Sequence, residues 1–583
     1  MKSIKGYVKS AKQKLKSKTG YFKREIELKR LEKYSNEIDM VLTKYNKKSC
    51  NETMMVKGLR KSNEETTNRK IHQEDLEKIV AQMAKGLGLN EEIVKIMGSH
   101  HDIGHTFLGH SGEWWISNIL EDYGIGYFCH NTLGARELIY TDKVYDEIIE
   151  KIKVHNPNVS KKVLDKIRNS LWLIMDGINA HNGEKPEKEY IPEITKQEED
   201  FTEEMVQCYV KKGYDRKITP ASSEACLMRL ADQISYIPLD MLDGLREKMI
   251  RDENGNIVTT IDDDYRKILT KLGITDEEIN ECNIKGTYTK IGERLKEIFI
   301  NDVIKNSTKQ KITMSKEVMT LMNELRNLNN EKIVDYVVLT EDQETYPPAI
   351  RRLMNRYKDI ILENGLLSRL QNADKDMNIN NDLARYKGTI DEGFIGYICN
   401  TNEEDFKLTT KIVEEATKQS IADELDTARK CVQEGISYEE TEELGFNYDS
   451  KNGRIKNYIS YYTKMLQAGK LIGYNEETKN QEVEIIYNNI ANGKQNENYV
   501  SMEERMALSV AAKYISTLND HEFLQLLIDT EMINDDQEKS LTRKYKDIPD
   551  LKGEAYVAKR WKEISKAQKE ATHGVKDTTQ EQK

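Results

Sequence analysis

Apolar side chains recur at helical spacing along most of this 583-residue chain. Between Leu76 and Leu87 they occupy positions i, i+3, i+4, i+7 and i+11, which is one face of an amphipathic helix. Gly86 and Gly88 predict the end of this helix. Asn90, followed by two glutamates, predicts the N-cap and acidic first turn of the next helix.

Comparable patterns continue downstream, and strand-like runs are rare. They predict further helices over 112–121, 131–139, 161–180, 222–250, 315–329 and 503–528. The apolar run 336–339 predicts a small hairpin at most. Only 8 of the 583 residues are prolines, well below the usual ~5%, so helix breaks are few. The predicted fold class is mostly α.

Charge and composition disfavour two classes of protein. The net charge of −11 disfavours general electrostatic capture of nucleic acid. No run of ~18 uncharged apolar residues occurs, so no membrane span is predicted. No apolar stretch follows the first residues, so no signal peptide is predicted either. Residues 1–24 alone are strongly basic; we interpret them as a solvated helix, with contact to a phosphate-rich or membrane surface as the alternative.

The seven cysteines are odd in number, and none forms a C-x-x-C pair. This spacing excludes a cysteine-ligated zinc site and is typical of proteins from a reducing compartment. We therefore predict a cytoplasmic location. The polar segment 51–68 is predicted to be a loop, and the polar tail from Ala567 is predicted to be disordered.

Histidines are concentrated in one stretch, because five of the ten lie between positions 100 and 130. His72 precedes Leu76 by one helical turn, and His101 follows Met97 by one turn. Both imidazoles should therefore face the buried side of their helices. Clustered imidazoles next to an aspartate are a first indication of a metal site.

Two aspartates complete a candidate ligand set. Asp102 follows His101 directly, and Asp232 interrupts an apolar helical stretch one turn after Met228. A buried carboxylate is costly without a cation or strong hydrogen bonds. We predict one divalent metal ion, Mn²⁺, Mg²⁺ or Fe²⁺, held by these two carboxylates with His72 and His101.

The order His72, His101-Asp102, Asp232 resembles that of the HD-domain metal-dependent phosphohydrolases. The string 101–113, H-D-I-G-H-T-F-L-G-H-S-G-E, is similar to the H-D-[IL]-G-H-x-P-F-G-H-x-G-E signature of the deoxynucleoside triphosphate triphosphohydrolases, the dGTPase-like branch. Further similar stretches are R-K-I-H at 69–72, F-C-H-N at 128–131 followed by Arg136, A-D-Q-I-S-Y at 231–236 followed by Asp240, and a weaker one at 513–520.

Two positions depart from the pattern of that family. Phe107 stands where the signature has proline, which is expected to reshape the loop that carries His110. Pro238 lies between Tyr236 and Asp240, where an interior proline removes a backbone hydrogen bond and kinks a helix. The reach of Asp240 to a substrate depends on that kink.

The resemblance implies a domain order. We predict a basic helical segment over 1–50, an HD-domain helical core over 51–335, a mainly helical C-terminal region over 336–566 and a disordered tail over 567–583. The C-terminal region would belong to the catalytic fold or to an oligomer interface. Enzymes of this family form symmetric oligomers, so a homo-oligomer is expected.

The resemblance also implies a reaction, the hydrolysis of deoxynucleoside triphosphates to deoxynucleoside and inorganic triphosphate. The first substrate to expect is dGTP. A metal-bound hydroxide would attack the α-phosphorus while His110 protonates the leaving 5′ oxygen. Glu113 would pair with His110 and keep it protonated. Substrate-binding roles would fall to Arg69 on the triphosphate, His105 and His130 along the phosphate channel, Tyr236 on the sugar and Asp240 on sugar or base.

Two other functions stay open. The first is another HD-type nucleotide phosphohydrolase or phosphodiesterase, although the Glu-Asp pair of alarmone hydrolases does not follow Asp102 and no G-Y-P-like motif of cyclic-dinucleotide phosphodiesterases occurs. The second is a dNTP-binding regulatory protein without turnover, for which the bulky Phe107 is the one argument.

Four further side chains are interpreted as structural. His100 is predicted to be structural or solvent-facing, because His101 takes the inward position. His181 follows small residues that mark a helix end, so a structural role is favoured over a functional one. Trp114 and Trp115 are predicted to belong to the core.

Overall fold

The computed structural model shows a protein built almost wholly of helices. It describes residues 20–45, 67–140, 144–181, 189–252, 254–336, 338–371, 384–401, 403–443, 459–471, 476–492 and 500–551. Within these ranges extended backbone pairs only at isolated bridges, and no strand is formed. The predicted mostly α fold class is therefore confirmed. The basic residues 1–19, the predicted loop up to residue 66 and the tail 567–583 lie outside the described residues.

The part of the chain before residue 336 contributes fifteen described helices. They are α1 (20–32), α2 (Ser35–Tyr45), α3 (Arg69–Leu87), α4 (Glu91–His100), α5 (His110–Asp122), α6 (His130–Tyr140), α7 (Val144–His155), α8 (Lys161–Arg168), α9 (Trp172–Asn179), α10 (Glu198–Val210), α11 (Ser223–Arg246), α12 (Asp263–Lys271), α13 (Asp276–Lys285), α14 (Thr289–Asn306) and α15 (Lys316–Lys332).

The remainder contributes ten described helices. They are α16 (Thr340–Glu363), α17 (Leu366–Gln371), α18 (Glu392–Cys399), α19 (Glu403–Gln433), α20 (Tyr438–Glu443), α21 (Ile459–Gln467), α22 (Glu476–Ala491), α23 (Met502–Ser516), α24 (Asp520–Asp529) and α25 (Asp535–Leu541).

The ends of α3 and α4 follow from their capping residues. The side chain of Asn90 accepts the backbone N–H of Ile93, as the predicted N-cap of α4. Gly88 ends α3 with a φ of +63°, a left-handed conformation that favours glycine. Gly86 lies inside α3 and not at its end, contrary to the prediction. A Cβ at this position would meet a side-chain carbon of Ile304 at 2.5 Å. That glycine serves close packing against α14.

Three other predicted elements differ from the structure. The helix predicted over 161–180 is broken into α8 and α9, and Ser170 at the break donates to the carbonyl of Lys166. The helix predicted over 503–528 is likewise divided, because Asn519 caps a new helix, α24. The hairpin predicted at 336–339 is wrong: Val334–Tyr336 form a 3₁₀ turn, and Leu339 caps α16.

Buried apolar side chains form two large clusters. The first is built mainly on α3, α4, α9, α11, α14 and α15. The second packs α5 against α16, α23 and α24, and it contains Trp115, which is 1% exposed as predicted for a core residue. Ile103 belongs to the first cluster and Phe107 to the second. The signature segment between α4 and α5 therefore crosses from one core to the other.

A buried ion network ties α6 to the C-terminal helices. Asp405 of α19 accepts from Arg136 Nε and from Lys513 Nζ, both at 2.6 Å. Lys513 also pairs with Glu137 at 2.8 Å. Burial opposes ionisation of Asp405, but the charges of Arg136 and Lys513 outweigh it and lower the pKa of the carboxyl to about 2. The C-terminal helices are thus fastened to the helix that begins at His130.

None of the described helices is both long and apolar enough to cross a membrane. The six described cysteines are free thiols, and five of them are buried. Cys50 lies outside the described residues.

Candidate metal centre and active site

The four predicted metal ligands meet in one buried pocket. His72 comes from the first turn of α3, His101 and Asp102 from the end of α4, and Asp232 from the middle of α11. His72 Nε2 lies 3.2 Å from His101 Nε2 and 3.0 Å from Asp232 Oδ1. His101 Nε2 lies 3.3 Å from Asp102 Oδ1. Ligand atoms at right angles around one ion are about 3 Å apart, so these spacings fit one cation.

Proton counting shows which nitrogen of His72 faces this pocket as an acceptor. Ser235 Oγ lies 2.6 Å from Asp75 Oδ2 and 3.1 Å from His72 Nδ1. Ser235 donates its single hydroxyl proton to Asp75 Oδ2. His72 Nδ1 must then be the donor to Ser235 Oγ, and its Nε2 presents a lone pair to the pocket.

The same reasoning applies to His101. Its Nδ1 lies 2.8 Å from the carbonyl oxygen of Gly98, which only accepts, so Nδ1 is the donor. Its Nε2 therefore also presents a lone pair. In these tautomers two imidazole lone pairs converge with carboxylate oxygens of Asp102 and Asp232. This donor set fits a divalent metal ion that accepts both nitrogen and oxygen ligands.

Electrostatics of the pocket favour positive charge. Burial lowers the pKa of His72, but the hydrogen bond and charge of Asp232 outweigh it, and the net shift is upward. Burial raises the pKa of Asp102, yet the charges of His101 and Arg69 hold that pKa well below its usual range. The pKa of Asp232 is lowered as well, mainly by His72 against the effect of burial. Both carboxylates are therefore ionised.

Arg69 is the buried partner of Asp102. Its Nη1 donates to Asp102 Oδ2 at 2.9 Å, and the side chains are 4% and 3% exposed. A Cβ at Gly109 would lie 3.1 Å from Arg69 Nη2, so the guanidinium also borders the start of α5. Arg69 thus connects the metal pocket with the signature loop. Its predicted contact to triphosphate stays a prediction.

The signature loop depends on two glycines. A Cβ at Gly104 would lie 2.1 Å from the carbonyl oxygen of His130, so glycine lets the loop touch the start of α6. A Cβ at Gly112 would lie 2.0 Å from the carbonyl oxygen of Phe107, so glycine lets the first turn of α5 fold back on the loop. Together they bring His105 into a stack on His130, with ring centroids 4.0 Å apart.

Helix α24 holds the same loop from the other side. Asp520 Oδ1 accepts the backbone N–H of Leu108 at 2.5 Å, and Leu108 has the unusual φ of +53°. Phe107 is fully buried and stacks on Phe523 at a centroid distance of 3.5 Å. Phe107, which stands where the similar signature has proline, is therefore accommodated by α24. His110 follows Leu108 by two residues and is the first residue of α5.

His110 and Glu113 form a pair beside the metal pocket. His110 Nδ1 lies 3.1 Å from Glu113 Oε2, and the His110 side chain is 66% exposed. Glu113 also accepts from the backbone N–H and Nδ1 of His130. Burial opposes ionisation of Glu113, but the charge of His130 and the two histidine hydrogen bonds outweigh it and hold the pKa well below its usual range. The carboxylate therefore stays an acceptor for both imidazoles.

The other predicted substrate-binding residues occupy two sides of the pocket. His105 is 1% exposed and lies 3.7 Å from Asp102 Oδ1 through its Nε2. Tyr236 and Asp240 follow Asp232 by one and two turns on α11, which continues through Pro238 to Arg246. Burial raises the pKa of Asp240 to about 7, with Asp243 adding to the shift. The structure thus places Arg69 and His105 against the predicted ligand Asp102, whereas Tyr236 and Asp240 share α11 with Asp232.

Sequence reasoning missed three residues at this site. His181, interpreted as structural, is buried with its ring centroid 4.8 Å from that of His101. Ser235 and Asp520 orient His72 and the signature loop. The weak similarity over 513–520, which ends at Asp520, was a signal for the last of these. His100 is buried and bonds Asp39 at 3.0 Å, so its structural interpretation holds and solvent exposure does not.

Comparison with known proteins found no matching family model. Curated relatives carry the name deoxyguanosinetriphosphate triphosphohydrolase-like protein. Those of Rickettsia felis and Rickettsia typhi are each 27% identical, over 279 and 280 residues, and that of Rickettsia bellii is 26% identical over 276 residues. Each alignment covers 47% of this chain and 61% of the relative. The chain is thus similar to proteins of that name over about three fifths of their length.

Proposed function

We propose that this protein is an HD-domain hydrolase that converts deoxynucleoside triphosphates to deoxynucleoside and inorganic triphosphate, and that dGTP is the first substrate to expect. The observation that carries the proposal is the convergence of two imidazole lone pairs and two ionised carboxylates beside an exposed histidine. His72, His101, Asp102 and Asp232 would hold one divalent ion. The similarity to relatives named deoxyguanosinetriphosphate triphosphohydrolase-like supports the substrate class.

A bound divalent ion would lower the pKa of a coordinated water and neutralise charge on a phosphate oxygen. The residues of the chain supply positioning and the proton. Arg69 lies beside the signature loop and carries a fixed positive charge for triphosphate oxygens. His105 and His130, stacked between the pocket and Glu113, would line the path of the phosphates. Tyr236 and Asp240, one and two turns beyond Asp232, would contact sugar and base.

His110 would act as the general acid. A water molecule releases one proton to solvent as its oxygen forms a bond to the α-phosphorus, the bond from that phosphorus to the 5′ oxygen breaks, and the 5′ oxygen takes a proton from His110, which solvent then replaces. Glu113 accepts from His110 Nδ1 at 3.1 Å, so the other ring nitrogen, Nε2, is the one that can deliver a proton. The exposure of the His110 side chain leaves it open to a substrate.

Product analysis tests the proposal. We expect purified protein with Mn²⁺ or Mg²⁺ to release deoxynucleoside and inorganic triphosphate from dNTPs, resolved by anion-exchange chromatography, and EDTA to abolish the reaction. Each dNTP and NTP is assayed alone and in mixtures. Release of diphosphate or orthophosphate would overturn the assigned bond. Metal and dNTP binding without any turnover would favour the regulatory alternative.

Asp520 provides a test of how the loop positions His110. Replacing Asp520 with Ala removes the acceptor for the Leu108 N–H, and we expect turnover to fall about tenfold to a hundredfold, because small misplacements of a reacting group have effects of this size. Metal binding should be unchanged. The measurement is kcat beside the number of Mn²⁺ ions bound per chain.

Two matched variants make the Asp520 result specific. Asn519→Ala removes the neighbouring cap of the same helix, which costs about 1 kcal/mol of stability, and it should leave kcat unchanged. Asp520→Asn retains an oxygen acceptor and should recover much of the activity. Unchanged kcat in Asp520→Ala, or an equal loss in Asn519→Ala, would contradict the positioning role.

A further inference from the structure

Helix α1 is held to the body of the protein by one of its faces. Arg24 is buried and donates to the carbonyl oxygens of Ile194 at 3.2 Å and Lys196 at 2.8 Å. Leu28 and Leu31, one and two turns further along, belong to the first apolar cluster. Because three successive turns are anchored on this face, the direction of the opposite face is fixed as well.

The opposite face combines exposed apolar side chains with lysines. Phe22 and Ile26 are 65% and 43% exposed. Lys29 follows Ile26 by three residues, so these three side chains form one stripe along the helix, and exposed Lys33 follows in the turn after it. Lys23 stands next to Phe22 and is also open to solvent. These five residues are the outward face of α1.

The acidic residues of α1 do not cancel the charge of this face. Glu25 bonds Lys29 at 3.0 Å, and Glu27 lies 3.7 Å from Lys23. Such exposed pairs contribute little free energy, so a lysine exchanges one anion for another easily. Glu25 and Glu32 line a cavity between α1 and the start of α11, away from the outward face.

The sequence around the outward face is strongly basic. The first 33 residues contain twelve Lys and Arg and three glutamates, a net charge of +9 in a chain whose total is −11. Residues 1–19 lie outside the described ranges, but in sequence Ile4 and Val8 precede Phe22 and Ile26 by 18 residues each, a multiple of the helical repeat. Charges beyond about 10 Å are screened by salt, so the local excess decides what this face attracts.

We propose that the outward face of α1 docks on a bilayer surface that contains anionic lipids. Lysines on an amphipathic helix attract anionic headgroups, and apolar side chains between them enter the boundary of the acyl chains. Binding strength grows with both contributions, and this face supplies both. The helix would lie on the surface without crossing it. The inference does not depend on the proposed function.

Two other occupants fit the outward face less well. Nucleic acid would use the lysines through its phosphates, but a branched aliphatic side chain such as Ile26 offers no flat surface on which a base could stack. A second copy of the chain in a two-fold contact would set the same lysines against one another. A lipid surface uses both the charges and the apolar side chains.

Cosedimentation of the full chain with vesicles tests the proposal. We expect binding to vesicles of equal parts phosphatidylglycerol and phosphatidylcholine, little binding to phosphatidylcholine alone, and weaker binding as salt is raised. Phe22→Ser combined with Ile26→Ser should lower the partition coefficient about tenfold or more, because the apolar area buried in the lipid boundary is lost. Lys29→Gln combined with Lys33→Gln should lower it about tenfold as well.

A matched pair of substitutions elsewhere on the surface is the control. Val154 on α7 and Ile284 on α13 are more exposed than Phe22, and each stands next to a lysine in sequence. Val154→Ser combined with Ile284→Ser should bind the anionic vesicles as tightly as the wild type. Circular dichroism checks the fold of every variant.

Fluorescence adds a readout of insertion that lysines alone would not give. Phe22→Trp places an indole on the outward face, and vesicles with brominated acyl chains should quench its emission, because bromine in the chains quenches only side chains that reach that depth. The tryptophans of the wild type should be quenched much less. Binding without quenching of Phe22→Trp would overturn the docking of this face.

The remaining outcomes also decide the proposal. No binding to anionic vesicles, equal binding by the Phe22→Ser, Ile26→Ser variant and the wild type, or an equal loss in the control variant would each overturn it. Binding of a single-stranded oligonucleotide that this variant loses, without vesicle binding, would assign the face to nucleic acid. A smaller assembly of the same variant by light scattering, again without vesicle binding, would assign it to a second copy.

Discussion

An Asp102→Asn variant is expected to lose stable divalent-metal binding and at least about a thousandfold in dNTP turnover, because metal-ion catalysis supplies several kcal/mol of transition-state stabilisation. Asp102 lies 3.3 Å from His101 Nε2 and accepts from buried Arg69 at 2.9 Å. Its neutral amide would be a poorer metal ligand and would leave the guanidinium without its counter-charge. The measurements are Mn²⁺ bound per chain and kcat for dNTPs.

Asp391→Asn is the matched control for that variant. Asp391 is also a buried aspartate that is paired with an arginine. Arg356 donates to both of its carboxylate oxygens, at 3.0 and 2.7 Å. Its replacement removes the same charge and leaves an arginine without its partner, far from the histidine cluster in the chain. We expect lower thermal stability but wild-type metal content. Retained metal and turnover in Asp102→Asn would contradict the ligand assignment.

The clustering of the candidate metal ligands was predictable in part, because the spacing of apolar residues along each helix shows which face is buried. His72 and His101 stand one turn from the buried residues Leu76 and Met97, so the apolar pattern that buries the helix also shows which way the imidazole points. Asp232 is recognisable as a carboxylate in an apolar stretch. Periodicity along each helix does not predict how α3, α4 and α11 pack, and that packing brings these residues together.

Residues that act through distant contacts had no local signature. Asp520 and Leu108 are 412 positions apart, and their hydrogen bond exists only because α24 packs beside α5. His181 follows the last turn of a helix, where no apolar repeat fixes the direction of its side chain. Its neighbours in space, His101 and His130, come from other elements. Such residues become visible only when the tertiary fold is known.

The predicted helix boundaries were wrong where a capping residue interrupts an apolar pattern that continues along the chain. The pattern over 503–528 runs through Asn519, but the capping box of Asn519 and Glu522 starts a new helix there. At 336–339 the β-branched run predicted a strand, whereas Asp342 accepts the Leu339 N–H at 2.9 Å and begins α16. A local hydrogen bond outweighs intrinsic strand propensity at that position.

A His110→Ala variant is expected to lower kcat on dNTPs a hundredfold to ten-thousandfold while leaving metal binding unchanged, because general acid catalysis contributes about this much. His110 lies outside the primary ligand set and its side chain is 66% exposed, so neither the pocket nor the core should be disturbed. His155→Ala, which removes an imidazole that pairs with Glu37, is the control for loss of a histidine and should keep wild-type kcat.

The chemistry of the leaving group separates proton donation by His110 from a merely structural role. A triphosphate ester in which p-nitrophenolate replaces the nucleoside as leaving group needs little protonation, because that anion is stable near neutral pH. If His110 donates the proton, His110→Ala should lose far less activity on p-nitrophenyl triphosphate than on dNTPs. Equal losses on both substrates would show that His110 shapes the site or binds phosphate. Glu113, whose carboxylate accepts from His110 Nδ1, should give the same selective pattern with a smaller loss when replaced by Gln.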